Sequence, residues 1–99
     1  MKNLYINLQG DEINIQGMLT QETVMEAVNE CDSLLSSNQK VKINLSGVIR
    51  CDSASLAFLT ALMRLAKKKK TQLSFIHPPK QMISLCKVSG IDSILPICT

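Results

Sequence analysis

Alternating apolar and polar residues at the start of the chain predict a β-hairpin. Apolar side chains occupy every second position of residues 4–8 and again of residues 13–15, with polar residues between them. Gly10-Asp11 lies between the two runs, and glycine tolerates the positive φ that a tight turn requires. Two paired strands are therefore expected before residue 20.

Three helices are predicted by apolar residues that recur at intervals of three and four. The first includes apolar positions from Val24 to Leu35, with Thr20 as the predicted cap. The second runs from about Ser53 to Lys69. The third begins after Pro78-Pro79 and is expected to stop at Gly90, because proline suits a first helical turn and glycine a helix end.

Short apolar stretches between these helices predict the remaining strands. Residues 41–45 and 73–76 each predict one strand, and residues 94–97 predict a short last strand or an extended tail. Ser46-Gly47 is expected to open a loop that leads to Asp52. The resulting element order is ββαβαβαβ.

This order predicts an α/β fold with a mixed sheet and helices packed against it. Alternation of strands and helices after the hairpin indicates parallel strands that are joined by right-handed crossovers. The chain has 99 residues, a length typical of one domain, so a single domain over residues 1–99 is expected.

Composition narrows the function classes. The net charge is +3, and four lysines stand together at Lys67–Lys70. Aromatic residues make up only 3% of the chain, whereas nucleic-acid-binding proteins usually combine a basic face with stacking aromatics. We therefore expect no nucleic-acid partner.

The cysteines and the apolar runs give no sign of a metal, a cofactor or a membrane span. The four cysteines contain no C-x-x-C pair, which argues against a zinc site. No apolar run approaches the roughly 20 residues that a bilayer span needs, and the N-terminus lacks the apolar segment of a signal peptide. A cytoplasmic protein with reduced thiols is expected.

The second predicted helix has one narrow outward stripe, and Ser53 lies on its centre line at the N-terminal end. The rest of the helix surface is apolar, so most of it should be buried. Small side chains in the stripe would let a partner approach closely; alternatively, alanine is present only as a good helix former. The stripe consists of Ser53, Ala57, Thr60, Arg64, Lys67 and Lys68, and its margins are Leu56 and Ala61.

Asp52 and Ser53 precede this helix and admit two interpretations. Both are natural capping residues, so one of them could simply satisfy free backbone amides. In the functional interpretation, Ser53 is modified or contacted by a partner. A phosphate on Ser53 would meet the positive end of the helix dipole, whereas Asp52 would oppose it.

Two further chemistries are conceivable. Cys51 and His77 each follow a predicted parallel strand, so a Cys-His pair could form at the carboxyl edge of the sheet. No orienting residue and no glycine-rich oxyanion loop accompany them. The Lys67–Lys70 run could bind an anionic lipid or nucleotide, although cations at a helix C-terminus also complement the helix dipole.

Several stretches, taken in order along the chain, resemble a STAS domain, the fold of bacterial anti-sigma factor antagonists. The central one is Asp52-Ser53-x-x-Leu56 at a helix start, preceded by the strand Ile43–Ser46. The residues Phe75–Pro79 and Leu85–Ile91 are similar to the family's fourth strand and third helix, and Gly17–Thr20 also fits. The similarity covers nearly the whole chain.

The resemblance implies a non-catalytic binding module in either of two branches. In the antagonists, a partner serine kinase phosphorylates the serine after the aspartate, which makes Ser53 a candidate phosphorylation site. The usual pattern there continues with Ser or Thr and then Gly, but this chain has Ala54-Ser55.

The second branch is the small STAS subunit of the Mla phospholipid ABC transporter, which binds the cytoplasmic ATPase subunit through this helix region. Residues Leu56–Leu59 and the short chain are similar to that branch, which we favour. Membrane association would then occur only through the transporter complex, at the inner face of the inner membrane. The predicted partner-binding residues are Asp52, Ser53, Leu56, Ala57, Thr60, Ala61 and Arg64.

Overall fold

The computed structural model describes residues 3–90 and 97–98, and within them the predicted order ββαβαβαβ is confirmed. Of the predicted last strand, residues 94–96 lie outside the described part of the chain. The elements are β1 (Leu4–Gln9), β2 (Glu12–Leu19), α1 (Val24–Leu34), β3 (Lys40–Cys51), α2 (Ala54–Lys69), β4 (Gln72–Ile76), α3 (Lys80–Ser89) and β5 (Ile97–Cys98).

The described strands form one mixed sheet in the order β1-β2-β3-β4-β5. β1 and β2 pair antiparallel as the predicted hairpin, from Leu4 opposite Gly17 to Gln9 opposite Glu12, and Gly10 in the turn has a φ of 62°. Each later strand pairs in parallel with the strand before it. Right-handed crossovers in one constant direction place all three helices on the same face of the sheet.

The core lies between the sheet and this single helix layer, in which α1 contacts α2 and α2 contacts α3. Alternate strand residues point toward the helices, and the intervening residues form a polar sheet face open to solvent. The buried core includes Ile13, Ile15, Ile43, Leu45, Phe58, Leu59, Leu62, Phe75 and Met82. The polar sheet face includes the exposed residues Tyr5, Asn7, Gln16, Lys40, Lys42 and Gln72.

The prediction of a loop from Ser46-Gly47 to Asp52 is wrong, because β3 continues to Cys51. The pairing of β2 with β3 has two irregularities, and at each of them β3 contains one more residue than β2. These extra residues explain why apolar and polar positions stop alternating although the strand continues. Gly47 lies at the first irregularity, where an added Cβ would come within 2.7 Å of the Gln16 side chain. The extended strand carries Asp52 to the carboxyl edge of the sheet.

The predicted cap at Thr20 is also wrong, because α1 begins at Val24 and its N-cap position is Thr23. The Thr23 hydroxyl donates a hydrogen bond to the carbonyl of Met18 at 2.7 Å and accepts one from the Thr20 amide at 3.0 Å. Thr20 therefore belongs to the turn between β2 and α1, and its carbonyl accepts a hydrogen bond from the Val24 amide.

The lysine run at the end of α2 is divided between structural and exposed side chains. Lys69 forms a 2.9 Å ion pair with Asp32, and its ammonium also donates hydrogen bonds to the carbonyls of Asp32 and Leu35 at the end of α1. Lys70 ends α2 in the left-handed conformation, with a φ of 56°. Lys67 and Lys68 are exposed within the helix, and Lys70 is exposed at its end.

Candidate partner-binding surface

Asp52 joins the start of α2 to the turn that precedes α1. One carboxylate oxygen accepts a hydrogen bond from the Ala54 amide at 2.8 Å, and the other accepts one from the Gln21 amide at 3.2 Å. The Asp52 carbonyl also accepts hydrogen bonds from the amide and the hydroxyl of Ser55. Asp52 is therefore the residue that satisfies free amides at this helix end.

Ser53 occupies the N-cap position of α2, but its hydroxyl makes no capping hydrogen bond. Its backbone is already helical, with φ −61° and ψ −19°, and its side chain is exposed. A helix-capping serine normally has extended backbone angles and uses its oxygen to accept a hydrogen bond from an amide. The hydroxyl of Ser53 is consequently available to a partner at the positive end of the α2 dipole.

The outward side of α2 carries the residues that the sequence predicts. Ala57, Thr60 and Arg64 are exposed, whereas Leu56 and Ala61 at the margins are half-buried. We refer to Ser53 together with these five residues as the α2 face. The opposite side of the helix is buried and consists of Ser55, Phe58, Leu59, Leu62 and Ala66.

A shallow depression of about 340 Å³ lies along the α2 face, and α3 contributes to its lining. We call this depression the α2–α3 groove; its lining residues are Leu56, Ala57, Thr60, Ala61, Arg64 and Ser89. Ser89 was missed from the sequence, because its place depends on how α3 packs beside α2. The lining of the groove is mainly apolar, as the buried centre of a protein–protein interface usually is.

A second depression, also about 340 Å³, lies at the carboxyl edge of the sheet on the other side of Asp52. Its lining is mostly polar: Met18, Thr20, Gln21, Glu22, Arg50, Cys51, Asp52 and Gln81. Of these residues, only Asp52 was predicted to belong to a binding site. The others come from the end of β2 and the turn after it, from the end of β3 and from the first turn of α3, segments that only the fold brings together.

Cys51 has the properties of a core thiol. Burial raises the pKa of Cys51, the neighbouring Asp52 carboxylate raises it further, and a hydrogen bond with Ser55 only partly opposes them. The thiolate is the nucleophilic form of cysteine, so a raised pKa disfavours nucleophilic chemistry at neutral pH. His77, the other member of the conceivable pair, is exposed and has a φ of 55°.

Residues 3–90 and 97–98 contain neither a metal-binding cluster nor a membrane-spanning helix. No group of three or more His, Cys, Asp or Glu side chains there could hold a metal ion. No helix in the same residues is both long and apolar enough to cross a bilayer.

Comparison with known protein families shows the family to which the chain belongs. The family model described as "Mlab, STAS domain" matches residues 4–96, nearly the whole chain. The chain belongs to this STAS domain family. The resemblance to a STAS domain, stated from the sequence, is thereby confirmed.

Solved STAS domains have the same fold. The unphosphorylated anti-sigma factor antagonist SpoIIAA is 12% identical with a TM-score of 0.71, over 97% of this chain and 88% of that one. A STAS domain protein from Planctomyces limnophilus is 16% identical with a TM-score of 0.73, over 95% and 87%. An anti-sigma factor antagonist from Mycobacterium paratuberculosis is 16% identical with a TM-score of 0.68, over 95% and 82%. Among curated proteins, no sequence matches the chain significantly.

Proposed function

We propose that this STAS domain is a non-catalytic module that binds and regulates the cytoplasmic ATPase subunit of a Mla-type phospholipid ABC transporter. The observation that carries the proposal is the exposed hydroxyl of Ser53, which helix capping does not use. It stands at the head of a face of small side chains, against which a second protein can pack closely. The description of the matched family supports the choice of the Mla branch.

The α2 face also accounts for how such binding could be controlled. A few buried residues at the centre of an interface usually dominate its affinity. A phosphate or a carboxylate at position 53 would bring negative charge into that centre, beside the existing charge of Asp52. The α2 dipole would stabilise this charge in the free domain, and the cost of removing it from water would fall on the complex.

Co-purification tests this proposal directly. The chain is co-expressed with the tagged ATPase subunit encoded by its own organism, and the complex is isolated by affinity chromatography. Ser53→Glu and Thr60→Arg are expected to keep the circular dichroism spectrum of the wild type and to lose the complex. Ser37→Glu, the same type of substitution at an exposed serine in the loop before β3, is the matched control and should retain it.

Two outcomes would count against the proposal in different ways. If wild-type protein forms no complex, the ATPase is not the partner. If the complex survives both Ser53→Glu and Thr60→Arg, the partner binds elsewhere on the domain.

The alternative function is that of an anti-sigma factor antagonist switched by phosphorylation of Ser53. The structural neighbours named as antagonists and the exposed hydroxyl of Ser53 both favour it. Incubation with an anti-sigma factor serine kinase and ATP, followed by peptide mass spectrometry, separates the two functions. A phosphate that appears on wild type and disappears in Ser53→Ala would support the alternative, since Ser55 is fully buried.

A further inference from the structure

Charge is distributed unevenly along this chain. Between Ser53 and Gly90 the sequence holds lysines and an arginine but no aspartate or glutamate. The acidic residues of the described chain all lie earlier, between Asp11 and Asp52. Helices α2 and α3 are therefore free of acidic side chains, whereas α1 contains Glu26, Glu30 and Asp32.

The cations of α2 extend the α2–α3 groove at one end. Arg64 lines the groove, and the exposed Lys67 and Lys68 follow it by about one helical turn. Lys69 contributes little net charge there because it is paired with Asp32 at 2.9 Å. The groove is thus neutral and built of small side chains near Ala57, and cationic toward the C-terminal end of α2.

We propose that the α2–α3 groove binds an acidic amphipathic helix of a partner protein. Small or apolar side chains of that helix would contact Ala57 and Ala61, and its carboxylates would meet Arg64, Lys67 and Lys68. Grooves with an apolar floor commonly accept amphipathic helices, and opposite charge at the rim fixes their orientation. This inference rests on the proposed function only in taking the ATPase subunit as the natural source of the helix.

The form of the surface favours a helix over an anionic membrane. Proteins that lie on membranes bury protruding apolar side chains among the lipids, with cations beside them. Within the groove the apolar surface beside Arg64 is recessed, and Leu56 and Ala61 are half-buried, whereas the exposed Val88 of α3 lies outside the groove's lining. A recess of this kind contacts a convex partner, which a flat bilayer surface does not provide.

A titration with a synthetic peptide tests the chemistry without the natural partner. The ¹⁵N-labelled domain is titrated with a helical peptide that carries glutamates on one face and alanine and leucine on the other. The amide signals of Ala57, Thr60, Ala61, Arg64 and Ser89 are expected to shift. A peptide with lysine in place of every glutamate should bind at least about tenfold more weakly, because its charge has the same sign as the groove.

Charge reversal identifies the side chains responsible. The double variant Arg64→Glu/Lys67→Glu should weaken binding of the acidic peptide about tenfold or more. Lys42→Glu, on the polar sheet face, is the matched control and should bind like wild type. Circular dichroism verifies that each variant is folded.

Three results would overturn the inference. They are the absence of shifts at the groove amides, equal binding of the two peptides, and unchanged binding by the double variant. The wild type could instead bind no peptide but sediment with phosphatidylglycerol vesicles, while the double variant does not sediment. That result would assign the cations to a membrane.

The ATPase complex separates this inference from the proposed function. If the ATPase fails to bind but the acidic peptide binds the groove, the proposed function is wrong and the inference stands. If the ATPase binds wild type and the double variant equally, the proposed function stands and the inference is wrong.

Discussion

Asp52 and Ser53 are neighbours in the chain, yet the structure uses their side chains for different purposes. Asp52 accepts hydrogen bonds from Ala54 and Gln21, whereas Ser53 makes no capping bond. We expect Asp52→Ala to lower the free energy of unfolding by about 1–2 kcal/mol, the usual cost of a lost cap. Ser53→Ala should change it by less than about 0.5 kcal/mol. Urea unfolding followed by circular dichroism measures both.

The variant Asp52→Asn serves as the control for shape, because it keeps one acceptor oxygen in nearly the same volume. It should be less destabilising than Asp52→Ala. Equal losses of stability for Ser53→Ala and Asp52→Ala would show that both side chains cap the helix. The hydroxyl of Ser53 would then have a structural role that weakens the case for a partner.

At the scale of the element, Gly17 shows how closely strand β2 approaches the start of the chain. Gly17 has a φ of 109°, and a Cβ added there would lie 2.2 Å from the carbonyl oxygen of Asn3. Backbone atoms cannot yield as a flexible side chain does, so Gly17→Ala should cost at least about 3 kcal/mol or prevent folding. Thermal and urea denaturation measure the loss.

Gly10 is the matched control, because it also has a positive φ but no atom stands within 4 Å of an added Cβ. Gly10→Ala should therefore cost only the strain of the left-handed backbone, about 1 kcal/mol. A Gly17→Ala variant as stable as Gly10→Ala would mean that β1 and β2 do not pair as the structure has them.

Elements with a regular pattern could be predicted from the sequence, whereas features that depend on contacts between distant residues could not. The outward stripe of α2 follows from helical periodicity alone, and so does the exposure of Ala57 and Thr60. Ser46-Gly47 interrupts the alternation of β3, and only pairing with β2 shows that the strand continues. The partnership of Lys69 with the end of α1 joins helices that are separated in the sequence by a whole strand.

For the whole molecule, the single helix layer determines which surfaces are free. Each helix turns its apolar side to one face of the sheet, so the polar sheet face and the outward side of α2 both remain exposed. The polar sheet face mixes amides with Glu12 and Lys42, whereas the α2 face combines small side chains with Arg64 and is followed along the helix by Lys67 and Lys68. The two exposed surfaces therefore differ in the partners they suit, and the α2 face has the more distinctive chemistry.

Sheet and helices together should unfold as one cooperative unit. Three buried cysteines on separate elements can report this unfolding: Cys31 in α1, Cys51 in β3 and Cys86 in α3. Burial raises the pKa of Cys31 to about 12 and that of Cys51 above its usual value, and Cys86 is fully buried, so all three native thiols should resist alkylation at pH 8. All three should then react only when the domain opens, with opening free energies that agree within about 1 kcal/mol. Iodoacetamide labelling across a urea series, quantified by peptide mass spectrometry against the unfolded chain, measures these opening free energies.

Much faster labelling of Cys86 would instead show that α3 opens separately. The α2–α3 groove would then lack a stable second wall.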